Sequence, residues 1–505
     1  MIGHEDITGN ECVGTGVSEW RDGGPIPGRF LWLRRLAVAS GCLLIGLVGL
    51  RGWWGIEAHR RLQAEIERCH SAGQPVYASE FDEALDAVGK DENAAVLLEE
   101  AINGIVAVST SGVSFQLFVD EPEALAENLN AAAELLRGNA GVLGLVGQAH
   151  SRPAVAWSQR LENLTARFSP ALGQGQRNLA RLLWFTAYYR YETGDHAAAV
   201  EAIKDLVFLS EAVDAHPTLI SSINAWATHN LAFALIERVG GKLEIRDGQS
   251  VSGDVERTAT RGQVKELVNM LLDESASREA VIRSYYGNRA YEIDALDSQI
   301  AGLGMWDRVT TFVTRPIRVL DTVRAVKLLT LAAAAAAEDN WPDAASLFPR
   351  EAESYSLLRS LTRPVTDTPF GSAWQSVPLG VDAYFTYLAR RRMAATALAI
   401  RVFELDCGRR PKTITELVPQ YMPRAPVDPF STEGASLRYK PDAERAVLYS
   451  VARYGKDDNG VRRLRPEHRI DFEKSDIVFY LDGRPARNGR NSTPSQTSYR
   501  QSRVK

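Results

Sequence analysis

Three patterns of hydrophobic and polar positions follow one another along the chain. The first is an unbroken apolar run from Leu36 to Leu50, LAVASGCLLIGLVGL, without a charge. As a helix it rises only about 22 Å, against a bilayer core of about 30 Å. The apolar character continues past Arg51 through Trp53, Trp54 and Ile56. Arg51 can lift its guanidinium to the headgroups, and the two tryptophans suit the interface, as Trp32 suits the opposite one. The pattern predicts a transmembrane helix over residues 31–56, anchored through Leu36, Leu43, Ile45, Leu50, Arg51, Trp53 and Trp54. Arg29, Arg34 and Arg35 cluster on its N-terminal side. The positive-inside tendency then puts the N-terminus inside and the bulk of the chain outside the cytoplasm, on the cytoplasmic (inner) membrane. A cleaved signal fits less well, because a glycine-rich tail precedes the run and no small-x-small site follows it.

The second pattern has helical period and covers residues 57–375. An Arg/Glu-rich run continues the first helix until Ser71-Ala72-Gly73-Gln74-Pro75 ends it. Asp91-Glu92-Asn93 caps a helix that runs to Ala101. Five helices are expected between Glu121 and Val239. Pro122 opens the first, to Arg137, and Pro153 opens the second, with Trp157, Leu161, Leu164 and Phe168 on one face. The third runs from Gln176 to Tyr191, the fourth from Ala197 to Ala212, and Pro217 opens the fifth, to Val239. Gly194-Asp195 separates the third and fourth in a pattern like the turn of a tetratricopeptide-type pair, but no period of about 34 residues repeats. Residues 246–262 read as a loop. Helices resume over 262–296 and 317–338, and prolines punctuate the stretch from Pro342 to Pro378.

The third pattern fills residues 376–482. A long helix, Ala383 to Asp406, carries Arg390-Arg391-Arg392, which excludes it as a second span. Cys407-Gly408 and Pro411 end it. Two or three short strands follow: Leu437–Lys440, Ala446–Val451 and Asp476–Leu481. The flanking segments lack both periods. Residues 1–30 are glycine-rich and read as a disordered cytoplasmic tail. Residues 483–505 carry Arg484, Arg487, Arg490, Arg500, Arg503 and Lys505 without an acid, and read as a disordered basic tail. The fold class is therefore mainly α: a transmembrane helix, an irregular TPR-like helical middle and a small α+β C-terminal module.

Composition changes this picture little. A net charge of -5 provides no basic field for nucleic acid. Of the four cysteines, Cys12, Cys42, Cys69 and Cys407, only Cys69 and Cys407 would share an oxidising compartment. A disulfide and two free thiols both remain open for them. Phosphate-loop, dinucleotide, metalloprotease and serine-hydrolase motifs are all missing. His216 and His229 stand too far apart for one ligand set, and His196 beside Asp195 reads as part of a helix cap.

The ending carries a resemblance. The order is a helix, Gly-x-x-Pro, Leu417-Val418-Pro419-Gln420-Tyr421, Asp428-Pro429-Phe430, Leu-x-Tyr, Tyr449-Ser450-Val451, Gly455-Lys456-Asp457-Asp458-Asn459-Gly460 and Asp476-Ile477. It is similar to the globular part of type II secretion major pseudopilins, over Ala383 to Leu481. With Ser71–Pro75, Glu92–Ala95 and Gly194-Asp195, the whole chain also resembles a group of uncharacterised planctomycete membrane-anchored proteins. The pseudopilin likeness implies a calcium site with Asp457, Asp458 and Asp476 as ligands. Ala452 and Tyr454 depart from the family's Gly and Asp there, and Arg462, Arg463 and Arg465 add positive charge. Solvated turn residues are the competing reading. Two functions stand side by side. One is a scaffold protein of the cell envelope, with the lipid bilayer and an envelope protein assembly as partners. The other is an envelope hydrolase whose site is dispersed along the sequence.

Overall fold

The computed structural model describes residues 30–162, 170–246, 257–298, 305–348, 373–441, 445–461 and 475–483. Both tails, Leu164, Phe168, Arg462, Arg463 and Arg465 lie outside these residues. Among the described residues helix accounts for 69% and strand for 6%, so the protein is mainly α. It divides into two units, Met1–Glu57 and Ala58–Lys505.

The described part of the first unit belongs to α1 (Leu31–Ser71). Leu36, Leu43, Ile45, Leu50 and Trp53 are each more than half exposed. Among the described residues α1 is the one helix long and apolar enough to cross a membrane, and none of its apolar window is buried within the protein.

In the second unit the character of α1 changes. Ala58, Leu62, Ile66 and Cys69 recur at helical spacing and bury one face against Val76, Ile293, Val319, Val323 and Val326. Gly73, in the left-handed region at φ 68°, stops the helix, as its sequence predicts. Arg289 then pins the turn. Its guanidinium donates to Gln74 Oε1 at 2.8 Å, Pro75 O at 2.7 Å, Thr330 Oγ1 at 2.9 Å and Cys69 Sγ at 3.2 Å. Cys69 and Cys407 are both free thiols.

Eight helices follow: α2 (Ala78–Asp86), α3 (Ala94–Asn103), α4 (Phe115–Asp120), α5 (Leu129–Gly138), α6 (Ala140–His150), α7 (Pro170–Glu192), α8 (His196–Asp214) and α9 (Leu219–Val239). Asn93 caps α3 by accepting from Ala95 N at 3.0 Å. Asp195 caps α8 by accepting from Ala198 N at 3.1 Å. Gly194, at φ 77°, makes the turn that folds α7 and α8 into a helical hairpin.

Three expectations in this region are corrected. The helix opened by Pro122 breaks after a single 3-10 turn, Pro122–Leu125, and restarts as α5. The segment from Pro153 to Glu162 is irregular, not helical. Ala154 pairs with Asn93 as a parallel bridge, and the Asn93 amide clamps Ala156 through both its N–H (2.9 Å) and its carbonyl (2.7 Å). Trp157 anchors this segment by donating its indole N–H to Ala212 O at 2.7 Å. Conversely, α6 was not expected. Its three glycines, Gly141, Gly144 and Gly147, oppose helix, but burial of Val142, Val146 and Ala149 outweighs them.

Strands β1 (Ile245–Arg246) and β2 (Ala259–Thr260) pair in parallel across the loop. The helix expected over 262–296 is two: α10 (Arg261–Leu272) and α11 (Ser275–Ser298). Asp273 divides them, its carboxylate accepting from Ser275 N at 3.2 Å. Next come α12 (Met305–Ala337), α13 (Trp341–Ser346) and α14 (Ala373–Cys407). Helix α14 starts ten residues before the expected Ala383 and contains Pro378.

The last strands, β3 (Arg438–Lys440), β4 (Val447–Ser450) and β5 (Ile477–Tyr480), form one antiparallel sheet in that order, with Val447 opposite Tyr480. Leu448 and Phe479 face the main core, while Val447, Tyr449 and Val478 cluster on the other side. That core is one cluster, whose members come from Ala94 through to Leu481 among the described residues. Helix α14 fills it with Tyr384, Phe385, Tyr387, Leu388, Ala394 and Leu398.

Candidate functional site

Three places carry chemistry. The first is the loop expected to hold calcium. Asp457 Oδ1 accepts from Asn459 N at 2.7 Å, and Asp457 Oδ2 accepts from Arg438 Nε at 2.9 Å. Asp476, at the start of β5, accepts the Gly460 N–H at 2.8 Å. Burial raises the Asp476 carboxyl, and the like charges of Asp457 and Asp458 add to the rise. The three acids are therefore brought to one loop. Both Asp457 oxygens already meet N–H donors, and a guanidinium stands where a cation would repel it. Among the described residues no group of three or more His, Cys, Asp or Glu is arranged to hold a metal ion. The donors present fit a hydrogen-bonded turn better than a hard cation, which wants about six to eight oxygens.

The acid that organises this end is one that sequence reasoning assigned no role. Asp428, in Asp-Pro-Phe, is fully buried. It accepts from Ser450 Oγ at 2.6 Å, Phe430 N at 3.0 Å, Val451 N at 3.2 Å and the Arg438 guanidinium at 3.3 Å. A carboxylate with that many donors ties the Pro-rich loop to β3 and β4. The clue in the sequence was a lone Asp between Val427 and Pro429, where its backbone N–H and side chain are free to bond across the turn.

The second place is a polar hub inside the helical core. Arg391 of α14 has no exposure at all. Its guanidinium donates to Leu271 O (2.8 Å), Met270 O (2.6 Å) and Asp273 O (2.7 Å), which are the orphan carbonyls where α10 ends. It also donates to Glu211 Oε1 at 2.9 Å, Ser277 Oγ at 3.1 Å and Tyr387 OH at 2.5 Å. His229 Nε2 lies 3.4 Å away. Burial raises Glu211, with Arg391 pulling the other way. Burial also drives His229 well below its usual range, and Arg391 reinforces this, so the imidazole is neutral. The neighbouring Arg392 forks onto Glu274, both bonds at 2.6 Å. Polar groups this fully matched position helices.

The third place is the closest approach to a nucleophile and base among the described residues. His216 Nδ1 lies 3.3 Å from Ser221 Oγ and 3.2 Å from Thr218 Oγ1. Its Nε2 lies 3.2 Å from Gln159 O, which fixes the ring with the Nε2 proton on that carbonyl. Burial lowers His216 to about 4, so it is a weak base. Thr218 caps α9, and the pair reads as an extension of that cap.

Comparison with protein-family models, with curated proteins and with solved structures finds no match for this chain.

Proposed function

We propose that this chain is a single-pass protein of the cytoplasmic membrane whose body, held outside the cytoplasm, is a scaffold for an envelope protein assembly. The observation that carries the reading is the first half of α1, an apolar surface that none of the described residues covers. In water such a surface costs about 25 cal/mol for each Å². A bilayer removes that cost, and the tryptophans and arginines at its ends suit the two interfaces. The pseudopilin-like ending, residues 376–482, is the segment through which an envelope assembly would be met. The titratable groups of the body favour this reading over a hydrolase. The buried Arg391 is bonded to backbone, and the Ser221–His216 contact has a base too weak to activate a hydroxyl.

Two thiols report the topology. Cys407 is exposed on the body and Cys12 lies in the N-terminal tail. In cells with a permeabilised outer layer, a membrane-impermeant maleimide should label the full-length protein through Cys407. Cys407→Ser should abolish labelling and Cys12→Ser should not. The reverse pattern would invert the orientation, and release of the protein by alkaline carbonate would remove the anchor. In-cell crosslinking of the same protein tests the partner: reproducible capture of secretion or pilus components supports the scaffold, and capture of none rejects it.

A further inference from the structure

Six buried polar atoms share one neighbourhood in the core and have no hydrogen-bond partner among the described residues. They are both carboxylate oxygens of Asp214, Ser222 Oγ, Trp226 Nε1, Tyr285 OH and Tyr384 OH. None of these five residues is more than 5% exposed. Asp214 ends α8, Ser222 and Trp226 stand one turn apart near the start of α9, Tyr285 lies on α11 and Tyr384 on α14.

Several observations bring them together. The Trp226 and Tyr384 rings are 6.0 Å apart. Gly380 lies one turn before Tyr384, and Tyr285 OH is 3.0 Å from where a Cβ on Gly380 would stand, with Leu219 of α9 at 3.9 Å. Burial pushes the Asp214 carboxyl up to about 7, and the Ser222 side chain beside it opposes the rise. The charge of Asp214 also reaches Tyr384. The contrast with the adjoining Arg391 hub is sharp, because there nearly every donor is met within the protein.

A buried donor or acceptor without a partner is expensive, and native cores meet such groups with water or ligand. The chemistry of the six narrows the occupant. An indole N–H only donates, while the Asp214 and Ser222 oxygens can accept, so the occupant must both accept and donate. Charge is disfavoured in either sign. The Arg283 and Arg391 guanidinia act on Asp214 and outnumber the Glu211 carboxylate that acts on it too; with the positive end of α9 close by, they repel a cation. Asp214 repels an anion. We infer that the space between α8, α9, α11 and α14 binds a neutral hydrogen-bonding molecule of a few heavy atoms, through Asp214, Ser222, Trp226, Tyr285 and Tyr384. Ordered water and a small polyol share this chemistry.

The test uses the full-length protein in detergent with Ser222→Ala, Tyr285→Phe and Tyr384→Phe made singly. A hydroxyl that faces only protein is an unmet polar atom, so its deletion raises the melting temperature. A hydroxyl that holds an occupant loses a hydrogen bond, so its deletion lowers the melting temperature by about 1–3 °C. A fall in at least two of the three is expected, and a rise or no change in two overturns the inference. Ser222→Ala is the smallest change and keeps the test readable if an aromatic variant fails to fold. Native mass spectrometry of the same samples separates the sources once the melting temperatures fall. A mass excess lost in the variants marks a polyol, and its absence marks water.

Discussion

At the scale of single residues, this body depends on a few buried polar side chains that cannot be exchanged for apolar ones of similar size. Arg391 is the clearest. Replacing it with Met would fill the volume but strand Glu211 and the carbonyls of Met270, Leu271 and Asp273, which it now caps. Removing one partner of a buried charged network costs about 3–5 kcal/mol. Arg391→Met should therefore lower the urea midpoint severely, while Arg409→Ala, whose pair with Glu416 is exposed, should leave it nearly unchanged. His216 gives a pH prediction. Its folded value is about 4 against an ordinary 6.5, so between these two values the unfolded chain binds a proton that the folded chain refuses. Stability is then level above about 6.5 and falls as the pH drops toward about 4, by about 3 kcal/mol for this residue. His229, also held neutral, acts in the same direction. The drop in urea midpoint between pH 7.5 and 4.5 should be smaller in His216→Gln than in the parent. An equal or larger drop would remove His216 as the cause.

At the scale of elements, glycines divide into those that close contacts require and those that merely weaken a helix. A Cβ on Gly287 of α11 would stand 1.8 Å from Pro217 O, and one on Gly241 would stand 2.4 Å from Leu481 O. Both neighbours are backbone and cannot swing aside. Gly287→Ala and Gly241→Ala should each destabilise by at least about 1–3 kcal/mol. Gly147 of α6 is exposed with nothing near its Cβ position, so Gly147→Ala should instead stabilise by about 0.5–1 kcal/mol. Thermal melts of the three would show opposite signs, and a loss at Gly147 would mean that α6 is not helical. The same helix shows where the sequence was legible. Strong period with a proper stop located α1, α8 and α9, and short apolar runs between polar segments located β3, β4 and β5. Helix α6 was hidden because its glycines opposed what burial of Val142, Val146 and Ala149 enforced. The Pro153 segment misled because Trp157 and Leu161 have helical spacing, whereas their conformation is set by Asn93, some sixty residues earlier. The Asp214 and Arg391 groupings were illegible for a related reason. Their members come from helices far apart in sequence, and no local spacing marks them.

At the scale of the whole molecule, the question is whether residues 57–375 and 376–482 fold separately. Helix α14 puts its side chains among those of the earlier helices. Tyr384, Phe385, Tyr387 and Leu388 belong to the same core as Ile203 of α8 and Phe233 of α9. Arg391 caps α10 from within. The final strand adds to this, because Tyr480 N donates to Glu237 Oε1 of α9 at 3.1 Å. Taking away everything after residue 375 would expose the apolar faces of α8 and α9 and strand the polar groups that α14 satisfies. Hydrophobic burial shared in this way makes the parts unfold together. A body comprising residues 58–483 should accordingly unfold in one transition, with far-ultraviolet dichroism and tryptophan fluorescence giving the same midpoint. Residues 58–375 alone should lack a cooperative transition. Two separated transitions in the longer body, or a cooperative melt of the shorter one, would mean that the interface around α14 is a docking of two independent domains. In that case the Arg391 hub would belong to their association and not to their folding.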